Sequence, residues 1–263
     1  MTSTQIHQEV PPVSSTTHPA VQLDGVSKSF RGSPLPVLEN VSLTVQPGEL
    51  VALLGASGCG KSTLLNLVAG LDEPTAGTLQ VAGSGAALMF QDAALFPWLT
   101  AGRNVELALK LRGVGRAEAK EEARRLLDLV RLDDAYGKRP HELSGGMRQR
   151  VALARALAQQ RDVLLMDEPF AALDAITRDV LHDELIRIWR ATGVAIVFVT
   201  HNVREAVRLG QRVVLMSSRP GRVVRQWEVD ITGERRIESP AVAALSTEIT
   251  AVLREEIIRH GRR

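Results

Sequence analysis

Apolar residues recur in short runs along the first ninety residues, and turn residues such as Pro47 and Gly48 separate the runs. Runs of this kind predict β-strands at about 21–24, 41–45, 50–54, 78–82 and 86–90. Strands that follow one another in this way indicate an antiparallel or mixed sheet at the front of the chain. The run at 50–54 is apolar throughout, as in a strand buried on both faces. It leads into a glycine-rich loop and a helix at about 61–69.

The pattern changes to helical periodicity between about 100 and 160, where Leu and Val stand among Arg and Glu. Beyond this block the chain alternates again, with an apolar strand at 163–166, an amphipathic helix at about 173–191 and a strand at 194–199. A short helix and two strands follow, to about 229. Interleaved strands and helices on both sides of a helical block predict an α/β protein, with a parallel-sheet nucleotide-binding core and an inserted helical subdomain.

Near the C-terminus, apolar residues repeat at helical spacing after Ser239 and Pro240, a pair that suits the start of a helix. The stripe consists of Val242, Leu245, Ile249, Leu253 and Ile257. An apolar stripe needs a surface to cover it. The ordinary explanation is packing against the helix's own domain, and the alternative is a partner protein.

Composition narrows the class of protein. The 263 residues are 44% hydrophobic, which suits one large α/β domain or one domain with an insertion. Lys plus Arg number 32 and Asp plus Glu number 30, with both signs scattered, so there is no basic stripe of the kind that binds nucleic acid. The aromatic content of 3% also argues against base stacking. We therefore expect no nucleic-acid partner.

The single cysteine, Cys59, excludes an internal disulfide and fits a reducing compartment. No apolar run is long enough to span a membrane. Residues 1–20 are rich in Ser, Thr, Pro and Gln and have neither Lys nor Arg, so they are typical of a disordered arm rather than a signal peptide. These features predict a cytosolic protein.

A phosphate-binding loop is indicated by the pattern Gly-x4-Gly-Lys-Ser, with an apolar strand before it and a helix after it. The loop consists of Gly55, Ala56, Ser57, Gly58, Cys59, Gly60, Lys61, Ser62 and Thr63. Its glycines let backbone N–H groups turn inward around the β- and γ-phosphates, where the helix N-terminus adds a favourable field. Lys61 supplies a mobile positive charge, and Ser62 supplies a hydroxyl for Mg²⁺. The alternative, a chance glycine-rich turn, would not need this strand and helix around it.

Two adjacent carboxylates, Asp167 and Glu168, follow the apolar run at 163–166. Asp167 at the strand tip can orient Mg²⁺, usually through water. Glu168 can orient the water that attacks the γ-phosphate, or accept its proton. Adjacent carboxylates in a loop are often only a solvated turn, but a buried-type strand before them and a phosphate loop in the same chain favour catalysis.

In this order the motifs make the chain resemble the ATP-binding subunits of ABC transporters, over roughly residues 21–230. The resemblance implies a role for Gln91, which matches a glutamine that senses Mg²⁺ and the γ-phosphate. It implies that His201 is the switch histidine that contacts the γ-phosphate, although a lone histidine after a strand is more often structural. Phe30 stands where the family stacks an aromatic ring on adenine. Its alternative is a core position in the front sheet.

The resemblance also implies a second copy of the protein. Ser144, Gly145 and Gly146 match the family signature, which caps the γ-phosphate bound on the opposite subunit, and Met147 replaces the commoner glutamine. Asp174, in Ala-Leu-Asp, matches the D-loop that crosses the dimer interface. ATP and Mg²⁺ are therefore the expected cofactors, and a homodimer with ATP between its subunits is the expected assembly. On this account, ATP binding closes the dimer and hydrolysis separates it.

The segment after Gln91 places Leu95, Phe96 and Trp98 in the region that faces the membrane subunit in this family. Packing into the helical subdomain is the alternative for each of these side chains. Together with the sequence from Asp167 to Arg178, this segment resembles importers of nitrate, sulfonate and taurine. The expected partners are membrane-spanning permease subunits and, indirectly, a periplasmic or lipid-anchored solute-binding protein. The expected location is peripheral, on the cytoplasmic face of the inner membrane.

A different class remains as the alternative, namely a soluble ABC-type ATPase of DNA repair or chromosome maintenance. Such proteins place a long coiled coil or a zinc insertion between the phosphate loop and the signature. The segment between Lys61 and Ser144 contains no cysteine pair and no heptad repeat.

The resemblance completes the domain plan. A disordered arm occupies 1–20, the ATP-binding domain 21–230 with its helical subdomain at about 92–160, and a C-terminal extension with an amphipathic helix 231–263. The expected fold is a P-loop NTPase (RecA-like) parallel-sheet core with an antiparallel β subdomain and an inserted α-helical subdomain.

Overall fold

The structure is a computed structural model, which describes residues 18–171, 173–231, 233, 235–236 and 239–261. Residues 1–17 of the predicted arm, and Ala172 of the predicted D-loop, lie outside the described residues. Ala20 belongs to the packed domain, because it is buried and its amide donates to the Val45 carbonyl at 2.8 Å. The contacts of the domain therefore begin inside the segment predicted as an arm.

The described residues form β-strands and α-helices whose order agrees with the predicted alternation. The strands are β1 (Val21–Lys28), β2 (Leu38–Val45), β3 (Leu50–Gly55), β4 (Ala76–Val81), β5 (Ala86–Met89), β6 (Val163–Asp167), β7 (Ala195–Thr200), β8 (Arg212–Met216) and β9 (Val223–Glu228). The helices are α1 (Lys61–Val68), α2 (Ala101–Leu111), α3 (Arg116–Leu129), α4 (Gly145–Leu157), α5 (Ala175–Thr192), α6 (Val203–Leu209) and α7 (Pro240–Gly261). Two short 3₁₀ helices lie at 133–135 and 140–142.

The core sheet has the strand order β5-β6-β7-β3-β8-β9, and every neighbouring pair is parallel except β8 with β9. All residues of β3 and β7 are buried, as expected of central strands with packed layers on both faces. One hydrophobic core on each side of this sheet holds it against the rest of the domain. The predicted parallel-sheet core is therefore confirmed.

A second, antiparallel sheet has the order β2-β1-β4 and packs over one face of the core sheet. It contains three of the five strands predicted at the front of the chain, and the other two belong to the core sheet. The strand predicted at 50–54 is β3, which pairs in parallel with β7 and β8. The strand predicted at 86–90 is β5, which pairs in parallel with β6 at the edge of the core sheet. The alternation of apolar and polar residues could not assign β5 to either sheet, because β5 has only four residues, two of which are buried.

The inserted block contains α2, α3 and α4, which pack on one another and on the β5 edge of the core sheet. Their shared apolar face is part of the larger hydrophobic core. Helix α2 starts at Thr100, whose side chain accepts from the Arg103 amide as an N-cap. The block agrees with the helical periodicity at 100–160.

Helix α7 packs on α6 of its own domain. Val242 and Ile249 are fully buried, Leu245 and Leu253 are partly buried, and only Ile257 of the predicted stripe is exposed. The domain thus covers the stripe itself, so these positions give no support to the alternative of a partner protein. None of the helices in the described residues combines the length and hydropathy that crossing a bilayer requires.

Candidate functional site

The candidate site lies at the carboxyl end of the core sheet, where the parallel strands end. Residues Gly55 of β3 and Met216 of β8 are in register there, and so are Leu54 of β3 and Thr200 of β7. Asp167 at the end of β6 is in register with Val199 of β7. Loops that follow the carboxyl ends of parallel strands share one crevice, the usual ligand site of such sheets. This topology brings together motifs that are far apart in the sequence.

The phosphate loop joins β3 to α1, and glycine backbone conformations shape it. Gly58 and Gly60 have φ values of +75° and +100°, which L residues other than glycine rarely adopt. The Lys61 ammonium is buried inside the loop, where its Nζ donates to the carbonyls of Gly55 at 2.8 Å and Ala56 at 3.0 Å. The loop therefore presents its own lysine at the N-terminus of α1, a position that favours anions.

A cleft of about 330 Å³ opens over this loop. It is lined by Phe30, Val37, Ser57, Gly58, Gly60, Lys61, Ser62, Thr63, Glu168 and Arg219. The structure thus brings together the phosphate loop, the aromatic residue and one of the two carboxylates. Its volume suits a small-molecule ligand.

Phe30 is on the wall of the cleft and is 45% exposed, so the alternative that it is a core residue of the front sheet is wrong. The Lys28 ammonium lies 5.0 Å from the centroid of its ring, within the range of a cation–π contact. Lys28 is in turn paired with Asp72 at 2.5 Å, which lowers the pKa of that carboxyl, mainly through the hydrogen bond from Lys28. An exposed aromatic ring that a lysine holds on one side can stack a planar base on its open surface.

Glu168 and His201 meet beside the cleft. The Nδ1 atom of His201 lies 3.0 Å from Oε2 of Glu168, although the two residues are 33 positions apart. Glu168 has a φ of +44°, a left-handed conformation that is uncommon for residues other than glycine and is concentrated at functional sites. Its amide donates to the Val199 carbonyl at 3.0 Å, which fixes the strained residue to the end of β7. This carboxylate and imidazole can share a proton and orient a water molecule.

Gln91 lies just after β5, and Asp167 is the last residue of the neighbouring strand β6, at the same carboxyl end of the sheet. Neither residue lines the cleft over Lys61. The backbone of Gln91 is held from the helical block, because its carbonyl accepts from Nε2 of Gln149 at 2.8 Å. Its side chain is exposed. Of the three residues expected at Mg²⁺, Ser62 is therefore the one that lines the cleft among the described residues.

Ser144 is the N-cap of α4, and its hydroxyl accepts from the Met147 amide at 3.2 Å. Gly145 is exposed and Gly146 is packed so tightly that an added Cβ would lie 2.6 Å from a methyl group of Thr177. None of the three signature residues is among the described residues that line the cleft. The structure therefore leaves the signature as a helix N-terminus outside the lining of the cleft over the chain's own phosphate loop.

Asp174 is the N-cap of α5 and accepts from the Thr177 amide at 2.9 Å. This backbone hydrogen bond is the main reason that the pKa of its carboxyl is lowered. Helix α5 therefore begins at the predicted D-loop and packs beside the signature helix through Gly146.

Arg219, which no sequence motif indicated, lines the cleft and donates from Nε to the Gly58 carbonyl at 3.2 Å. Its turn follows β8 and is packed on the phosphate loop, since a Cβ at Gly221 would lie 2.1 Å from the Cys59 carbonyl oxygen. The available signal was the Arg-Pro-Gly sequence between two apolar runs, which marks a turn. Only the strand order reveals that this turn lies next to the loop.

Comparison with known proteins agrees with this geometry. A family model described as ABC transporter matches residues 38–171. The chain is 45% identical over 246 residues to the taurine import ATP-binding protein TauB of Mesorhizobium japonicum, covering 91% of this chain and 96% of that protein. It is also 45% identical over 248 residues to the nitrate import ATP-binding protein NrtD of Synechocystis, covering 88% and 93%. These relatives give no support to the DNA-repair alternative.

Among solved structures, the chain is similar to the ATP-binding cassette MJ0796, determined as a dimer in a post-hydrolysis state with ADP and Pi. The TM-score is 0.71 at 32% identity, covering 80% of this chain and 99% of that one. The expected cassette fold, with a parallel core and an antiparallel β subdomain, is thereby confirmed. The cleft, the strand order and these relatives lead to one conclusion: the chain belongs to the ABC transporter family, whose ATP-binding subunits are ATPases.

Proposed function

We propose that the protein hydrolyses ATP between two copies of itself and thereby drives an ABC importer for nitrate, a sulfonate, taurine or a similar small solute. In this assignment the adenine stacks on Phe30 and the phosphates lie over Lys61. Glu168 and His201 act on the water that attacks the γ-phosphate. Ser144 and the two glycines after it cap the nucleotide of the partner copy.

The observation that carries this proposal is the division of the motifs between two surfaces. The cleft over Lys61 contains the phosphate loop and Glu168 but, within the described residues, no signature residue. The signature is instead an exposed helix N-terminus, a structure that binds anions through its free N–H groups and dipole. A second copy can bring that N-terminus over the open cleft. The similar cassette was solved as a dimer.

The residues assigned to Mg²⁺ fit that ion chemically. Mg²⁺ takes oxygen ligands and usually keeps several waters besides phosphate oxygens. Ser62 offers a hydroxyl, Gln91 an amide oxygen and Asp167 a carboxylate. Within the described part of the chain, no side chain donates to the Asp167 carboxylate, so it is free to hold an ion or its water. Bound Mg²⁺ would neutralise charge on the β- and γ-phosphates.

The hydrolytic role of Glu168 rests on its position. Its carboxylate reaches both the cleft and Nδ1 of His201, so it can orient a water molecule and receive its proton while the imidazole holds the other oxygen. The backbone strain at Glu168 is compatible with this role, because such strain persists where the surroundings fix a functional geometry. Lys61 would stabilise the charge that develops on the phosphates.

The permease would dock on the segment 91–100, whose backbone is fixed while two aromatic side chains are exposed. Asn104 is fully buried, and its amide bonds to both the N–H and the carbonyl of Phe96. Arg155 donates to the carbonyls of Ala93 and Ala94 at 2.8 and 2.7 Å. Burial lowers the pKa of Arg155. A rigid loop with exposed aromatic rings is a suitable anchor for a partner.

The two exposed rings form a pair. Trp98 is 67% exposed, Phe96 is 38% exposed, and their centroids are 5.3 Å apart. We infer that this pair contacts the membrane-spanning permease from the cytoplasmic face of the inner membrane. A solute-binding protein would deliver the solute to the other side of that permease. The names of the relatives, taurine and nitrate import proteins, support a small solute as cargo.

The test of the shared nucleotide site uses Glu168→Gln, which keeps the shape of the side chain and removes its charge. We expect ATP to bind normally and turnover to fall by about 10²-fold or more, because a general base contributes about 10²–10⁴. With saturating ATP and Mg²⁺, the variant should accumulate as a dimer in light scattering. The matched control is Glu168→Gln combined with Ser144→Arg, which should bind ATP and stay monomeric. A Glu168→Gln protein that is monomeric with ATP, alone and with its permease, contradicts the proposal.

A further inference from the structure

A buried histidine lies behind the two candidate catalytic loops. His182 of α5 has no exposed surface, and it is 14 residues in sequence from Glu168 and 19 from His201. We propose that His182 is a positioning residue, which fixes the loop of His201 relative to the loop of Glu168. The inference rests on the hydrolytic roles proposed above for that pair.

Glu205 connects His182 to the loop that contains His201. Nε2 of His182 lies 2.7 Å from Oε1 of Glu205, a residue in the first turn of α6 that is only 5% exposed. The other carboxylate oxygen of Glu205 accepts from the hydroxyl of Thr200. That same hydroxyl accepts from the Asn202 amide at 3.0 Å. The residues before and after His201 are therefore both tied to the carboxylate that His182 holds.

Asn202 tightens the same arrangement. Its side chain caps α6 by accepting from the amides of Arg204 at 3.0 Å and Glu205 at 3.3 Å. Glu205 is thus fixed by its backbone as well as by both carboxylate oxygens. A buried carboxylate held on all sides transmits a displacement of His182 directly to the turn that carries His201.

Phe170 connects His182 to the loop that contains Glu168. The rings of Phe170 and His182 meet edge to face, with centroids 4.8 Å apart. Phe170 is two residues after Glu168 and is buried, and its carbonyl accepts from Nε of Arg178 at 3.3 Å. His182 therefore touches both loops, one through a hydrogen bond and one through its ring.

The two loops meet where Nδ1 of His201 lies 3.0 Å from Oε2 of Glu168. Beside this contact lies a cavity of about 40 Å³, lined by Glu168, Phe170, Ala171, Arg178, Thr200, His201, Asn202 and Glu205. A polar cavity of this size can hold water. The spacing of the loops therefore also depends on the residues around the cavity, and His182 contacts two of them, Phe170 and Glu205.

The hydrogen-bond network assigns the tautomer of His182. The Glu205 carboxylate accepts, so Nε2 carries the hydrogen that is shared with it. Nδ1 has no hydrogen-bond partner within the described residues, and the nearest charged atom is Oδ1 of Asp179 at 3.9 Å. That Asp179 carboxylate is already paired with Arg208. A hydrogen on Nε2 satisfies Glu205, and any other donor placed at that position would do the same.

The experiment compares His182→Leu with His182→Gln in the purified full-length protein. Leucine fills the space without donating to Glu205, whereas glutamine restores a donor. We expect the kcat of His182→Leu for ATP hydrolysis to fall by about tenfold or more, since small misplacements of catalytic groups have effects up to about 10²-fold. The KM for ATP should stay within about twofold, and His182→Gln should recover most of the lost kcat. Ile188→Ala, a buried change on the same helix, controls for general loss of stability.

The second arm repeats His182→Leu in a His201→Ala background. If His182 acts through His201, the additional loss of kcat there should be less than about twofold. An equal loss in both backgrounds, or a His182→Leu protein with the kcat of the parent, overturns the inference. If His182→Leu does not fold, Glu205→Gln gives the same comparison. The Glu168→Gln protein distinguishes failure of the proposed hydrolytic site from failure of the positioning role. If Glu168→Gln is fully active, the proposed site is refuted. If Glu168→Gln is inactive while His182→Leu is fully active, only the positioning role is refuted.

Discussion

Replacing Gly60 by alanine tests whether packing against β2 fixes the shape of the phosphate loop. Gly60 has a φ of +100°, and an added Cβ would lie 2.7 Å from Cδ2 of Leu38 and 3.1 Å from the Val37 carbonyl oxygen. The backbone conformation alone should lower the free energy of unfolding by about 1–2 kcal/mol. Because Leu38 is fully buried and cannot swing away, the clash should add about 1–3 kcal/mol.

Gly58 provides the matched control, since its φ is +75° and an added Cβ meets nothing within 4 Å. Gly58→Ala should therefore show the backbone strain without the clash. Alanine stiffens the unfolded chain equally in both variants, so this effect cancels when their free energies of unfolding are compared. Denaturant unfolding should show Gly60→Ala less stable than Gly58→Ala by about 1–3 kcal/mol. Equal stabilities, or the reverse order, would refute the reasoning that β2 supports the loop.

Two further changes test the cleft and the docking segment. Arg219→Ala should weaken binding of ATP and ADP alike by about tenfold to a hundredfold, because a hydrogen bond made by a charged group contributes about 1.5–3 kcal/mol. Calorimetric titration measures both affinities. The control is Arg222→Ala, which removes a guanidinium that is paired with Glu39 and should bind both nucleotides normally. Equal affinities in the two variants would contradict a role for Arg219. Trp98→Glu should abolish solute uptake by the assembled importer while the isolated protein still hydrolyses ATP. Leu111→Glu, at a position 82% exposed, is the control, and uptake retained by Trp98→Glu removes the docking assignment.

The parts of the site that are encoded locally could be predicted from the sequence. The phosphate loop needs a buried strand, glycines in the left-handed region and a helix start, and all three stand within consecutive residues. The Asp167-Glu168 pair is equally local, because it follows the apolar residues of β6. The N-caps at Ser144 and Asp174 are encoded by the cap residue and the helix behind it. The phosphate loop and the carboxylate pair could be predicted because the contacts that matter are close in sequence, whereas the roles expected of Ser144 and Asp174 came from the family resemblance.

The parts that depend on strand order could not be predicted in this way. Arg219 reaches Gly58 across 161 positions of sequence, and nothing near either residue indicates the contact. The assignment of β5 to the core sheet depends on its pairing with β6, across the whole helical block. No local pattern in the sequence indicates the role proposed for His182, because its partner Glu205 lies beyond the next strand. Each of these features follows from the topology, which puts the ends of separate parallel strands side by side.

In the proposed dimer, the tight contacts on the signature side would couple the two nucleotide clefts. An added Cβ at Gly146 would lie 2.6 Å from a methyl group of Thr177, so α4 and α5 meet closely. Arg178, the next residue of α5, donates to the carbonyl of Phe170, two residues after Glu168. The helix N-terminus that would cap the partner's nucleotide is thus joined through a few packed residues to the carboxylate beside the chain's own nucleotide. Because packed interiors respond as units rather than by gradual deformation, closure on either ATP should act on both sites.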